Sequence, residues 1–78
     1  MITNTASLKC VDQDYSGGVA HHDVTAYTCL GNTNQKWILK PTGLTNTYTV
    51  VNQRSGQCLD QDYTGGVPHT TVLAWACN

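Results

Sequence analysis

Two aspartates are each followed at the same interval by an aromatic residue. Asp12 precedes Tyr27, and Asp60 precedes Trp75. Each pair lies just inside a pair of cysteines: the acid follows Cys10 or Cys58 by two positions, and the ring precedes Cys29 or Cys77 by two. A carboxylate accepts hydrogen bonds more strongly than a neutral oxygen does. A Tyr or Trp ring offers a rigid apolar face with a polar tip. Held side by side, they meet the two demands of a pyranose: acceptors for adjacent hydroxyls and a flat surface for the C–H face of the ring.

Such a pair needs a scaffold that places it twice. Sliding the chain against itself by 48 residues aligns Ile2–Leu30 with Val50–Asn78 without a gap, matching Asn4 with Asn52, Ser7 with Ser55, Gln13 with Gln61, Asp14 with Asp62 and His21 with His69. A repeat of this period points to a unit that cannot bury its apolar face alone. The reading is one module over residues 1–78, with a repeat unit at 2–49 and a partial second at 50–78. Within each unit the pattern is all β. Runs such as "KCVDQD", "VTAYTC", "KWILK" and "TYTVV" are separated by Gly, Asn, Ser and Pro, and no stretch has a helical period. "SGG" and "TGG" supply positive-φ turn positions, so each Cys-to-Cys segment is expected to be a hairpin with a long connection.

The equal cysteine spacing pairs Cys10 with Cys29 and Cys58 with Cys77, and no C-x-x-C spacing suggests a zinc or redox site. If each disulfide joins directly opposed residues of antiparallel strands, Asp12 faces Tyr27 and Asp60 faces Trp75. Asp14 with Thr25, and Asp62 with Leu73, then extend the same face. Open strand edges are expected at Tyr48–Asn52 and at the C-terminus. Residues 40–47 are expected to be a linker.

At 78 residues, with no Phe and much Thr, Asn and Gly, burial should supply only about 3–5 kcal/mol. Each disulfide closing about 20 residues could add about 3 kcal/mol, and the bonds imply an oxidising, extracellular setting. A formal charge of −1 with four Lys and Arg leaves no basic stripe, so nucleic acid and anionic membrane are not expected partners. No apolar run approaches a membrane span. The leading Met, with no apolar leader after it, is read as a mature form made without an export signal.

The residues "CVDQD", "VTAYTC" and "NTNQKWIL" together resemble the QxW repeat of ricin B-type lectins, which are β-trefoil carbohydrate-binding modules. The resemblance covers nearly the whole chain. It implies that Asp12 and Asp60 bind adjacent sugar hydroxyls, that Tyr27 and Trp75 stack on the ring, and that Asn34 completes the hydrogen bonding. It also implies that Gln35 braces the site and that Trp37 sits in the core. Asp14, Asp62 and Thr25 extend the candidate surface, and Tyr15, Tyr63, His21 and His69 are expected to select among galactose-, xylan- and mannose-type ligands. A trefoil needs three units, whereas the second unit here stops before its own N-Q-x-W. The chain is therefore expected to be completed as a homo-oligomer or to be a piece of a longer parent.

Other constellations carry less. "HHD" at His21–Asp23 lacks convergent partners for a metal, and "DQDY" lacks a full calcium loop. Neighbouring carboxylates on one exposed strand face do not form a glycosidase cleft. Arg54 reads as a solvated loop charge. No cofactor, metal or catalytic residue is expected. A protein-binding trefoil is the alternative, but it gives no reason to repeat an Asp and an aromatic beside each disulfide.

Overall fold

A computed structural model describes residues 1–77. Six strands are formed: β1 (Lys9–Gln13), β2 (Val24–Thr28), β3 (Trp37–Pro41), β4 (Tyr48–Asn52), β5 (Cys58–Gln61) and β6 (Val72–Trp75), with short 3-10 turns at Ser16–Gly18, Thr33–Gln35 and Thr64–Gly66. β1 and β2 form one antiparallel hairpin, and the other four strands form a sheet in the order β3-β4-β5-β6. The all-β reading holds, with no α-helix among the described residues.

The repeat is visible in the backbone. Thr3 bridges Cys10 as Val51 bridges Cys58. The long hairpin connections are built identically. In the first, Gly18 N–H donates to Tyr15 O and His21 N–H to Asp14 O. In the second, Gly66 and His69 donate to Tyr63 and Asp62 in the same way. Gly17 and Gly65 sit at φ 72° and 74° inside these turns, where any Cβ is disfavoured by the following carbonyl.

Both disulfides form as expected, with Cα atoms 5.1 and 5.0 Å apart. The register inferred from them is displaced by two residues. Cys10 lies opposite Tyr27 and Asp12 opposite Thr25; Cys58 lies opposite Trp75 and Asp60 opposite Leu73. Cys29 falls one residue beyond the end of β2 and reaches back to Cys10 from outside the ladder. In the first unit the chain bends there because Gln35 Oε1 accepts the N–H groups of Leu30 and Gly31. A slip of two preserves the face on which side chains emerge, so Asp12 and Tyr27 stay on one face as diagonal neighbours.

β4 is not an open edge. It pairs along its whole length with β3 and meets β5 through Val51 and Cys58. Lys40 and Pro41 belong to β3 rather than to a linker, and Thr42 to Thr47 close a tight connection through Thr42 N–H to Thr47 O. Pro41 is tolerated because β3 is the outer strand of its sheet.

The interior is small and polar. Its buried apolar residues are Cys10, Cys58 and Ala74, and beside them lie the buried polar side chains of Asp12, Gln13, Asn34, Gln35 and Asn52. Every buried side-chain N or O atom among the described residues has a hydrogen-bond partner, which is the condition for burying such groups without a large desolvation cost. Trp37 is half-buried rather than central, and its indole N–H donates to Val11 O. Leu8, Leu39 and Leu44 are 70, 62 and 71% exposed, so much of the apolar surface finds no partner within the chain.

The two units meet at a defined joint. Gln13, fully buried, donates through Nε2 to Gln57 Oε1 at 2.8 Å and to His21 O at 2.7 Å, and its Oε1 accepts Ser55 Oγ at 2.6 Å. Asn52 Nδ2 donates to Asn34 O, and Gln53 N–H to Lys36 O. At the far side Asp23 bridges Leu73, and Ala74 N–H donates to His22 O.

Candidate functional site

The first site grows from β1. Asp12 is 8% exposed, far from the freely solvated acid that its place on a hairpin suggests. Asn34 Nδ2 donates to Oδ1 at 3.1 Å and Gln35 Nε2 to Oδ2 at 2.8 Å. A carboxylate has about four acceptor positions, so each oxygen keeps a lone pair for a ligand while the side chain is fixed in one orientation. The clamp is itself fixed. Asn34 also donates to Gln13 O, and Gln35 also donates to Thr28 O while its Oε1 takes two N–H groups. Gln35 is therefore fully committed, a brace behind the carboxylate and outside the groove.

Asp12 opens into a groove also lined by Asp14, Thr25, Tyr27, Asn34 and Tyr15. Tyr27 is 54% exposed, a ring held by a strand yet uncovered by the core. The second site repeats the plan. Asp60, Asp62, Tyr63, Leu73 and Trp75 line one groove, with Trp75 47% exposed. Asp60 is exposed and has no amide clamp among the described residues. The structure thus brings together Asp12, Asp14, Thr25, Tyr27 and Asn34 in one groove, and Asp60, Asp62 and Trp75 in the other.

Asp14 and Asp62 do structural work within these grooves. Asp14 Oδ1 accepts both the backbone N–H and the hydroxyl of Ser16, and Asp62 Oδ1 accepts those of Thr64. The hydroxyl, then the backbone N–H, hold each carboxyl below its ordinary value against the opposing effect of desolvation, and the nearby His21 or His69 adds the smallest contribution in the same lowering direction. His21 and His69 close the same loops through Nε2 against Ser16 O and Thr64 O. The repeated Asp, Ser/Thr, Gly and His positions of D-Y-[ST]-G-G-x-x-H thus share a role in loop architecture, while Tyr15 and Tyr63 line the grooves.

Several residues lie outside the site readings from sequence, among them Ser16 and Leu30 in the first groove and Gln61 and Thr64 in the second. Asn32 and Arg54 line the first groove, and the Arg54 guanidinium lies 3.9 Å from the centre of the Tyr15 ring. His22 stacks on Trp75 with ring centres 4.0 Å apart. The available signal was a break in the repeat: Arg54 stands where the other copy has Ala6, and His22 where it has Thr70. No group of three or more side chains suited to a metal converges among the described residues, and none of their helices is long and apolar enough to cross a membrane.

Comparison with curated proteins gives no match, and neither does comparison with solved structures. A family model described as Ricin-type beta-trefoil lectin domain-like matches residues 1–75, a span that holds both hairpins, both grooves and the Asn34–Gln35–Trp37 segment. With the paired grooves and the clamped aspartate already in view, that match settles the family: the chain belongs to the ricin-type β-trefoil lectin domain-like family.

Proposed function

We propose that this chain is a non-catalytic carbohydrate-binding module that acts through two repeated sites, Asp12 with Tyr27 and Asn34 in the first and Asp60 with Trp75 in the second. The observation that carries this reading is the Asp12 carboxylate, oriented by Asn34 and Gln35 at the base of a groove walled by an exposed tyrosine. A buried, clamped acid beside an uncovered ring is a costly arrangement for a structural residue and an apt one for reading vicinal hydroxyls. Both grooves are shallow, so a single monosaccharide should gain only about −4 kcal/mol, a dissociation constant near millimolar. Useful affinity then comes from engaging several sites at once, raising avidity about 10²–10⁴-fold.

The same reading holds the chain to be one module, a repeat unit at 2–49 with a partial unit at 50–78, completed by further copies as a homo-oligomer. The joint between the units supports it. Gln13 is buried against Ser55 and Gln57, whereas its counterpart Gln61 is exposed, as are Ser7 and Lys9, the counterparts of those two partners. Two disulfides fit a secreted protein. The test is a glycan array carrying galactose-, xylan- and mannose-type ligands at graded density. Density-dependent binding to at least one class is expected; binding to none of them at any density would overturn the reading.

A further inference from the structure

We propose that the two sites are cross-built: His22 of the first unit positions the Trp75 platform of the second site, and Arg54 of the second unit positions Tyr15 in the first. The proposal rests on the carbohydrate-binding reading above and adds residues that the repeat itself does not supply.

His22 is tied to β6 at three points. Its carbonyl accepts Ala74 N–H at 2.8 Å, its Nδ1 lies 2.7 Å from Ala74 O, and its ring lies against the Trp75 ring at a tilt of 33°. A carbonyl only accepts, so Nδ1 carries the proton and donates. The imidazole is thus locked to the residue preceding the tryptophan and presses on the indole, while the groove beside Asp60 is lined by Trp75 without His22. An indole on an exposed strand end would otherwise sample several rotamers, and a ring held in place loses less entropy when a sugar stacks on it. Arg54 acts in the opposite direction. It leaves the Asn52–Gly56 turn, which is fixed by Asn52 Oδ1 accepting the N–H groups of Arg54 and Ser55, and covers the face of Tyr15 at the rim of the first groove. In each case the side chain comes from one unit and the ring from the other.

The arrangement makes a crossed prediction. Removing a side chain from one unit weakens the site in the other, by about three- to tenfold, the range of one aromatic or cation–π contact. It also gives a spectroscopic mark: the Trp75 indole, held against the His22 ring with centres 4.0 Å apart, should be as rigid as the strand backbone in the free protein and lose that restraint when the imidazole is removed.

The experiment is a ¹H–¹⁵N titration of the full chain and of His22→Ala, His22→Phe and Arg54→Ala with methyl β-galactopyranoside, xylobiose and methyl α-mannopyranoside. Shifts at Thr25 and Tyr27 report the first site, and shifts at Leu73 and the Trp75 indole report the second. His22→Ala should weaken only the second site, Arg54→Ala only the first, and His22→Phe, which keeps a stacking ring, should restore most of the second. In the free protein the ¹H–¹⁵N heteronuclear NOE of the Trp75 indole should match that of the strand backbone, fall in His22→Ala and recover in His22→Phe. An unchanged affinity of the second site in His22→Ala, or equal loss at both sites, would overturn the proposal, as would an indole NOE that His22→Ala leaves unchanged. Should His22→Ala not fold, His22→Leu, which fills the space without a stacking ring, takes its place with the same two outcomes. If the unsubstituted chain binds none of the three sugars, the carbohydrate reading fails for them, while the indole NOE still tests the cross-building on its own.

Discussion

Replacing Asp12 by Ala should unsettle the fold as well as the site, whereas the same change at Asp60 should touch the site alone. Asp12 is buried and accepts two amide donors at 3.1 and 2.8 Å; Asp60 is exposed. A hydrogen bond to a charged group contributes about 1.5–3 kcal/mol, and a buried donor left unpaired carries a further penalty. Each amide nitrogen keeps its second partner, Gln13 O for Asn34 and Thr28 O for Gln35, which limits the damage to one N–H apiece. The longer bond should contribute at the low end, giving a total loss of about 2–4 kcal/mol. In a domain of this size that corresponds to about 10–25 °C in Tm. Exposed substitutions usually stay within about 0.5 kcal/mol, so Asp60→Ala should lower Tm by less than about 4 °C. Thermal melting of both variants with disulfides intact, followed by near-ultraviolet circular dichroism, makes the comparison. Equal shifts in the two variants would show that the Asn34–Gln35 clamp contributes nothing to stability, and the reasoning from it would fall.

The joint between units should behave in the same asymmetric way: Gln13→Ala, which removes three hydrogen bonds across and beside the joint, should cost about 2–4 kcal/mol in denaturant melts, and Gln61→Ala under about 1 kcal/mol. Asp14 and Asp62 have folded pKa values below the ordinary 3.8. Their contribution is thus complete above the unfolded carboxylate range and lost as pH falls through the depressed folded values. Melting between pH 5 and pH 2 should show this loss, and the double variant Ser16→Ala, Thr64→Ala should lose less over the same range because the largest cause of the shift is gone.

Much of the architecture was legible because it is written in local chemistry. Period-two runs bounded by Gly and Asn marked the strands, equal spacing marked the disulfides, and a gapless repeat marked two copies of one hairpin. The register was missed by two residues because a disulfide need not join opposed ladder positions; Cys29 reaches back from beyond the strand. The parity survived, and with it the shared face of acid and ring. Burial of Asp12 was not legible. A lone strand carboxylate reads as solvated, and only the docking of the Asn34–Gln35 turn behind it supplies the donors that permit burial. Repetition alone does not separate loop closure from ligand surface: Asp14, Asp62, His21 and His69 all make loop-closing hydrogen bonds, and Asp14 and Asp62 also line the grooves. The side chains that do cross between units, His22 and Arg54, are the ones that the repeat does not share, so a search for matching residues passes over them.

The central claim is that exposed rings beside the two aspartates bind sugar, and the most direct measurement removes the rings. Tyr27 and Trp75 are 54 and 47% exposed, so the double variant Tyr27→Ala, Trp75→Ala should keep both disulfides and the β-sheet signal of the parent chain. Its binding to the glycan class selected by the array, measured by calorimetry and on immobilised polysaccharide, should fall below detection. A folded double variant that binds the same glycan with undiminished affinity would contradict the claim.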